Sequence, residues 1–330
     1  MKVGKLPENV LKRAVLKKTN NVRKEVLIGA GVGEDCAALK LAEDEALVIS
    51  TDPITGTAKD IGKLSVYITV NDIACSGAEP FGIMLTILLP DKSLEEELRE
   101  IMSDVYDVCH ELNIQVMGGH TEVTRVVNQP LISITGVGKV KENKLLNTGA
   151  IKPGMDIVMT KAIGLEGTSI IAKEKYSELV NHFNKEMIDK AVNFDKEILI
   201  VEDARAVREL ASSMHDVTEG GIFGALWEIA EASNVGLDID LKKIMVRQET
   251  IEICEFYGIN PYKLISSGSL LVAGKDGKAI VNALSEQGID ATIIGKATDS
   301  NDRRLINNDE IRFLETPQKD ELYQVIGGRD

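Results

Sequence analysis

Residues 65–80 (SVYITVNDIACSGAEP) form an almost wholly apolar segment that carries Asn71 and Asp72 at its centre. Burying an unpaired carboxylate is costly, so Asp72 needs a compensating partner such as a metal ion or a set of hydrogen-bond donors. The segment must therefore fold as a buried element that contains a polar site, and Asp72 is the first candidate functional residue. The alternative without a function is a buried acid paired with a nearby lysine such as Lys63.

Three further acidic or glycine-rich motifs share this half of the chain: 31–35 (GVGED), 50–52 (STD) and 118–122 (GGHTE). Carboxylates that end strands beside glycine-rich turns suit Mg²⁺, which prefers a few hard oxygen ligands and completes its octahedron with water and substrate phosphates. Asp52 is equally explained as a strand-end turn residue. His120 is equally explained as a turn histidine, and with Glu122 alone it makes no zinc site.

Residues 26–33 (VLIGAGVG) resemble the strand and turn of a dinucleotide site, with Asp52 about where a ribose-binding acid would lie. However, Glu34 replaces the third glycine, Asp35 follows it, and residues 36–45 make a poor crossover helix. Two carboxylates at the pyrophosphate position would be repulsive without a cation. Dinucleotide binding is therefore disfavoured.

The bulk properties narrow the class of protein. A chain of 330 residues exceeds the usual single-core size and predicts two domains. The net charge of -14 repels nucleic acid and anionic lipid, so neither is expected as a partner. The four cysteines are far apart and lack C-x-x-C spacing, which argues against a zinc ribbon and a disulfide framework. With no continuous apolar run at the N-terminus or later, we expect a cytoplasmic protein.

Hydrophobic periodicity predicts the elements of the first half, which is either α+β or mixed α/β. A buried helix is predicted at 61–76 with Asp60 as its cap, and an amphipathic helix at 93–112 with a capping box of Ser93 and Glu96. The other predicted elements are a helix at 7–18 and strands at 46–50, 114–117 and 131–135. The strand at 114–117 is expected to run straight into a turn at Gly118 and Gly119.

A turn at 151–154 marks the predicted domain boundary, which gives domains at 1–150 and 151–316 and a loose tail at 317–330. In the second domain we expect a strand at 156–160, a polar helical region at 197–210 and a helix at 222–232 after the motif 215–221 (HDVTEGG). A turn at 266–269 precedes a strand at 270–273. Glycines before the helix at 222 either ease a tight turn or leave N–H groups that bind an anion.

The order and content of these motifs resemble the superfamily of aminoimidazole ribonucleotide (AIR) synthase, selenophosphate synthetase, thiamine-monophosphate kinase and the hydrogenase-maturation protein HypE. The most specific match is 69–80 (TVNDIACSGAEP), supported by 60–64 (DIGKL) and 216–221 (DVTEGG). The resemblance covers nearly the whole chain, from residue 31 to residue 270. Its greatest likeness is to HypE and the AIR synthase-related proteins.

This resemblance implies an α/β fold of two domains, in which the N-terminal domain pairs with a second copy into a β-barrel and the C-terminal domain is an α/β sandwich. It implies ATP and Mg²⁺ along the interface of a homodimer. The implied Mg²⁺ ligands are Asp35, Asp52, Asp72 and Glu122, and the implied catalytic residues are Asp72, Asn71 and Lys63. The implied nucleotide-binding residues are Gly31, Gly33, Asp35, Asn71, Gly118, Gly119, His120 and Thr121.

Two departures qualify the function that the resemblance implies. Relatives carry Gly-Gly-Asp-Thr where this chain has Gly-Gly-His-Thr, so the metal role passes to Glu122 or His120. HypE ends in a cysteine that carries the substrate group, whereas this sequence ends in Arg329 and Asp330. We therefore expect a HypE-like enzyme that phosphorylates a carbonyl or amide oxygen of an external acceptor, either a small molecule or protein-borne. The alternatives are a simple kinase and a non-catalytic nucleotide-binding assembly factor.

Overall fold

The computed structural model describes residues 26–28, 31, 34, 36–42, 44–54 and 59–326. The helix predicted at 7–18 and the candidate site residues Gly33 and Asp35 lie outside this described part. Chain contacts divide the protein into two units that part between Leu145 and Leu146. We call the described residues up to Leu145 the N-terminal unit, apart from Gly31 and Glu34, and those from Leu146 the C-terminal unit. The domain limits at 150 and 316 stay a prediction.

The N-terminal unit contains a six-stranded mixed sheet and two helices. The strands lie in the order β1-β2-β3-β6-β4-β5, and every neighbouring pair is antiparallel except β4 with β5, which are parallel. The elements are β1 (Val26–Ile28), β2 (Cys36–Ala42), β3 (Glu45–Ile54), α1 (Ile61–Cys75), β4 (Glu79–Pro90), α2 (Glu95–Glu111), β5 (Gln115–Thr124) and β6 (Leu131–Lys141). Because β1 turns back antiparallel onto β2, residues 36–42 form a strand and not the crossover helix of a dinucleotide fold.

Helix α1 is the buried helix that the apolar segment predicted. Every residue from Ile61 to Cys75 is buried except Lys63. The helix packs on β3 and β6, and Gly136 of β6 permits a close approach, since a Cβ there would lie 2.5 Å from Thr69. The prediction of Asp60 as a side-chain cap is wrong, because Asp60 adopts the left-handed conformation and its side chain makes no cap hydrogen bond.

Helix α2 connects the parallel strands β4 and β5, which need a crossover of this kind. Its buried stripe is Ile101, Val105, Val108 and Cys109. The predicted capping box of Ser93 and Glu96 is not formed, because the residue that caps the helix is Leu94, which has no side-chain oxygen. Only the reciprocal half is present, since Glu97 accepts a hydrogen bond from the Leu94 backbone N–H at 3.0 Å.

Strand β5 corrects the prediction of a turn at Gly118 and Gly119. Both glycines lie within the strand, which continues to Thr124. Gly119 is opposite Leu85 in the parallel ladder, and a Cβ at Gly119 would lie 2.0 Å from the Leu85 carbonyl oxygen. The glycine therefore serves a close approach of two strands.

The C-terminal unit contains a seven-stranded mixed sheet in the order β13-β12-β9-β11-β7-β10-β8. Its strands are β7 (Asp156–Thr160), β8 (Ser213–Asp216), β9 (Gly236–Asp240), β10 (Leu270–Gly274), β11 (Ala291–Thr298), β12 (Arg303–Asn307) and β13 (Glu310–Phe313). Its helices are α3 (Leu165–Glu174), α4 (Tyr176–Leu179), α5 (Lys185–Val192), α6 (Val201–Val207), α7 (Gly221–Ser233), α8 (Gln248–Tyr257), α9 (Gly277–Glu286) and α10 (Leu322–Val325). Together with the N-terminal unit, this gives a mixed α/β fold with two mixed sheets.

The predicted loose tail is wrong for the residues that the structure describes up to Ile326. Leu322 is buried in a cluster with residues of α3, α5 and α8. Asp320 is buried and hydrogen-bonded to three backbone N–H groups. The segment 320–326 is thus part of the C-terminal unit. No helix among the described residues is long and apolar enough to cross a membrane.

Candidate functional site

Asp72 lies on α1 with its carboxylate almost removed from solvent, at 4% exposure. Ser50 of β3 donates a hydrogen bond from Oγ to Asp72 Oδ2 at 2.5 Å. A charged acceptor strengthens such a bond, which fixes the orientation of the carboxylate. The structure therefore places a buried, oriented carboxylate where helix α1 meets strand β3.

Asp52 follows Ser50 by two residues on β3, so its side chain leaves the same face of the strand. Ala46, Val48 and Ser50 on this face are buried, whereas Asp52 is only partly buried. We call this face the helix side of the sheet, because α1 packs on it. Asp52 is thus the next side chain after Ser50 on this face of β3. It lies on the same face as the hydrogen bond between Ser50 and Asp72.

Asn71 and Lys63 extend from α1 in different surroundings. Asn71 is fully buried and precedes Asp72 by one residue, so the two side chains leave the helix roughly 100° apart. Lys63 Nζ lies 5.4 Å from the centre of the Tyr67 ring. Nine residues separate Lys63 from Asp72, which places them about 13.5 Å apart along the axis and on opposite faces. Ser50, and not Lys63, is thus the partner that orients Asp72.

His120 and Glu122 form a pair on the edge strand β5, with His120 Nε2 and Glu122 Oε2 3.1 Å apart and both side chains well exposed. They lie opposite Thr86 and Leu88, whose side chains point away from the helix side, while Thr121 lies opposite the buried Ile87. We call the face with Thr86 and Leu88 the open face of the sheet. Within one chain, His120 and Glu122 therefore lie on the opposite face from Asp52.

A single Mg²⁺ ion cannot bind Asp52, Asp72 and Glu122 of one chain. Strand β5 is three strands from β3, roughly 14 Å along the sheet, and the faces differ. Among the described residues, no group of three or more histidine, cysteine, aspartate or glutamate side chains is placed to hold a metal ion. Mg²⁺ usually binds one or two carboxylates and keeps waters and phosphates as its other ligands, so Asp52 and Asp72 stay the predicted ligands within one chain.

The glycine-rich motif at 31–35 is described only at Gly31 and Glu34, which form an isolated bridge. Gly33 and Asp35 lie outside the described residues, so their roles stay predictions.

The motif 215–221 of the C-terminal unit ends strand β8 and opens helix α7. Asp216 is buried at the end of β8. Gly220 and Gly221 have φ values of 91° and 63°, which favour glycine, and they turn the chain into α7. The predicted helix at 222–232 is observed with one more residue at each end.

Glu166, in the first turn of α3, is a buried acid that sequence reasoning missed. Burial raises the pKa of Glu166 to about 7, and the nearby carboxylates of Asp320 and Asp216 also raise it, while the proximity of Ser267 opposes the shift. Its Oε2 has no hydrogen-bond partner among the described residues. Glu166 therefore holds its proton to near-neutral pH, which suits a group that exchanges a proton.

Asp320 is the second acid that was missed. It accepts hydrogen bonds from the backbone N–H groups of Gly220 at 2.6 Å, Leu322 at 2.8 Å and Ile265 at 3.2 Å. Burial raises the pKa of Asp320 to about 6, although these three donors act to lower it. Asp320 thus joins the start of α7 to the loop after α8. A sequence signal existed for Glu166, which lies between Gly164 and Gly167, but none marked Asp320.

Two curated relatives match most of the chain. A putative hydrogenase expression/formation protein from Methanocaldococcus jannaschii is 28% identical over 306 residues, which cover 89% of this chain and 88% of that protein. The carbamoyl dehydratase HypE from Cupriavidus necator is 27% identical over 271 residues, which cover 76% of this chain and 72% of that protein.

Solved structures share the fold at lower identity. HypE in a HypE–HypF complex superposes with a TM-score of 0.76 at 21% identity, covering 93% of this chain and 99% of that chain. ThiL in complex with AMPPCP and TMP superposes with a TM-score of 0.75 at 18% identity, covering 97% of this chain and 98% of that chain.

Family models match both halves of the sequence. The model of the AIR synthase related protein N-terminal domain matches residues 33–140, and the model of its C-terminal domain matches residues 152–307. The two matches follow each other in the order of the family, and together they cover most of the chain. The chain belongs to the AIR synthase related proteins.

Proposed function

We propose that this protein is an ATP- and Mg²⁺-dependent enzyme of the HypE-like branch, which activates a carbonyl or amide oxygen by phosphorylation. The observation that carries the proposal is the buried carboxylate of Asp72, oriented by Ser50 on the face of β3 that also carries Asp52. The relatives named as a putative hydrogenase expression/formation protein and a carbamoyl dehydratase HypE support the HypE-like branch. The structural neighbour in complex with AMPPCP supports ATP as the nucleotide.

Asp72 and Asp52 would hold Mg²⁺, and the ion, when bound, would neutralise charge on the phosphates of ATP. Phosphoryl transfer requires positioning and charge neutralisation more than covalent chemistry by the protein. The hydrogen bond from Ser50 holds Asp72 in one orientation before nucleotide arrives, so little reorganisation is needed on binding. Asn71, buried beside Asp72, would complete the polar lining. A catalytic role for Lys63 stays a prediction, and its distance from Asp72 does not favour it.

Strand β5 would supply the contact to the phosphates. Its residues Gly118 to Glu122 are exposed, and, apart from its neighbours in the chain, no described residue has a heavy atom within 4 Å of the position that a Cβ on Gly118 would take. An exposed strand edge offers backbone N–H groups, and the absence of a side chain lets a phosphate approach them. His120 would add a side-chain donor on the open face of the strand, and Thr121 would add one on the helix side.

A homodimer would bury the open face of the N-terminal sheet. On this face Met84 is 49% exposed and Thr51 and Thr86 are also exposed. Among the strands that the structure describes, β5 is paired on one side only, and proteins normally cover such an edge. We expect two copies to pair through this face into the β-barrel that the family resemblance implies, in an isologous contact. Such pairing would place His120 and Glu122 of one chain at the interface.

The acceptor is proposed to be external, because the cysteines of this sequence are poor acceptors. Burial raises the pKa of Cys109 to about 11 and that of Cys254 to about 12, so neither supplies a thiolate near neutral pH. Cys75 is buried within α1, and Cys36 is partly buried in β2. The acceptor oxygen would therefore belong to a small molecule or to a partner protein. A cytoplasmic location stays a prediction.

Two alternatives remain from other classes of function. A small-molecule kinase would keep the phosphate on its product, and the fold match to ThiL favours this second candidate. A non-catalytic nucleotide-binding assembly factor would bind ATP without turnover.

A screen of candidate acceptors that follows ADP and inorganic phosphate separately distinguishes these functions. Equal release of ADP and phosphate that depends on acceptor supports the proposed enzyme. Release of ADP alone, with phosphate retained on the acceptor, would identify a kinase. ATP binding without acceptor-dependent turnover would favour the assembly factor and contradict the proposal.

A further inference from the structure

A cavity of about 210 Å³ lies within the C-terminal unit at the start of helix α7. Its lining includes Gly220, Phe223 and Gly224 at the start of α7, Lys263 after α8, and residues 312–313 and 315–319. Water occupies about 30 Å³ per molecule, so the cavity has room for roughly seven waters or one compact metabolite.

The cavity is basic in a strongly acidic protein. Three of its lining residues are cations, Lys263, Arg312 and Lys319, and Glu315 is the single lining carboxylate. The lining therefore carries a net charge of about +2, in a chain whose net charge is -14. Such a local excess of cations marks a surface that favours an anion.

The present partners of these cations are weak and displaceable. Lys263 Nζ lies 3.4 Å from Glu315 Oε2, whose side chain is mostly exposed. Arg312 pairs with Glu310 at 2.8 Å with both side chains more than half exposed. Lys319 Nζ lies 5.5 Å from the centre of the Tyr323 ring. Exposed ion pairs of this kind contribute little to stability, so an anion in the cavity can replace them.

The walls add two features that select the type of anion. Helix α7 presents its N-terminal end, with glycines at 220 and 224 that leave the backbone uncovered, and this end carries a partial positive charge. The buried carboxylate of Asp320 opposes this positive charge, since it accepts a hydrogen bond from the Gly220 N–H. Phe223 and Phe313 line the cavity as apolar surfaces. The site thus combines two or three cationic contacts with apolar contacts for a carbon skeleton.

We propose that this cavity binds a compact phosphate monoester, with its phosphate held by Lys263, Arg312 and Lys319 and its carbon skeleton against Phe223 and Phe313. A phosphate monoester carries about −1.5 to −2 charges at pH 7, which matches the lining, whereas a monocarboxylate leaves it unbalanced. Seven of the cavity's thirteen lining residues lie beyond residue 307, where the match to the family model ends. The site does not depend on the proposed ATP chemistry.

Titration of the full chain in EDTA without nucleotide tests the proposal by calorimetry. The ligands are glycerol 3-phosphate, inorganic phosphate and acetate at millimolar concentrations. Trp227, the single tryptophan, lies one turn after Phe223 on α7 and provides a second signal by fluorescence. We expect saturable binding of glycerol 3-phosphate, weaker binding of phosphate, and acetate weaker by 10-fold or more.

Two variants and one matched control assign the binding to the cavity. Lys263→Met and Arg312→Gln should each raise the Kd for glycerol 3-phosphate by about 10-fold or more, since each removes a charge-assisted contact. Lys296→Met is the matched control, because Lys296 is also an ion-paired lysine, with Nζ 3.3 Å from Asp156, but it does not line the cavity. This variant should leave the Kd within about 2-fold. Arg312 is exposed on β13, so its variant should fold even if the Lys263 variant does not. No saturable binding, acetate binding as tight as the phosphate ester, or a Kd unchanged in both variants would overturn the proposal.

Discussion

Replacing Asp72 by asparagine removes one negative charge from the candidate site with almost no change in shape. Asp72 is 4% exposed and accepts a hydrogen bond from Ser50. The amide oxygen of asparagine can accept the same bond from Ser50, so at this bond the variant loses the difference between a charged and a neutral acceptor. That difference costs about 1 kcal/mol of folding free energy, against a typical total of about 5–15 kcal/mol.

The effect on activity should be much larger than the effect on folding. The variant loses one of the two helix-side carboxylates that are proposed to hold Mg²⁺. The ion is then bound less well, and it neutralises less of the charge on the phosphates of ATP. Removal of one preorganised charge-stabilising group costs about 10²–10³-fold in kcat, or about 2.7–4 kcal/mol. We therefore expect ATP turnover to fall by at least about 100-fold in a protein that still folds.

Turnover measured as ADP release, together with urea unfolding of the same samples, separates the two effects. Asp104→Asn is the matched control, because Asp104 is a partly buried carboxylate of α2 whose pKa is raised first by burial and then by Asp60. The control should keep activity within about 3-fold of wild type, because Asp104 lies outside the Ser50–Asp72 site. An Asp72→Asn protein that folds and turns over ATP at the wild-type rate would refute the reasoning.

Three further predictions concern pH, packing and assembly. Because the pKa of Glu166 is raised to about 7 in the folded protein, its contribution to stability is fully present below the unfolded pKa near 4.5 and is lost as pH rises through 7. The free energy of unfolding, measured with urea, should therefore fall less between pH 5 and pH 8 for Glu166→Gln than for wild type. The same pH dependence in both proteins would disprove this. Gly119→Ala should be less stable than Gly118→Ala by at least about 2 kcal/mol, since only the former meets the Leu85 carbonyl oxygen. Light scattering should show a homodimer at micromolar concentration, and a monomer with full ATP affinity would contradict the interface proposed for the open face.

The buried helix and its acid were predictable because their signal is local. A run of apolar residues from 61 to 76 has no amphipathic period, so it predicts a helix covered on all sides, and the structure gives α1 at Ile61–Cys75. The first and last residues of the predicted helix agree with those of α1 within one position. A polar pair within such a run is informative on its own, because burial of Asp72 demands a partner whatever the fold.

The rest of the site depends on contacts that lie far apart in sequence. The course of β5 through Gly118 and Gly119 follows from its parallel pairing with β4, whereas a glycine pair viewed alone suggests a turn. Asp320 bonds to the Gly220 amide 100 residues away and to the Ile265 amide 55 residues away. No local pattern encodes such contacts. Strand order likewise separates Glu122 from Asp52, although their motifs look equivalent in the sequence.

Binding of ATP measured by calorimetry with Mg²⁺ and with EDTA tests the central claim most directly. The account predicts saturable binding of ATP in Mg²⁺ that weakens by about 10-fold or more in EDTA, and by a similar factor in Asp72→Asn with Mg²⁺ present. Asp104→Asn should bind as wild type does. ATP binding that is absent, or that is equally tight in EDTA and in Asp72→Asn, would contradict the assignment of Asp72 as a ligand of the metal that holds the nucleotide.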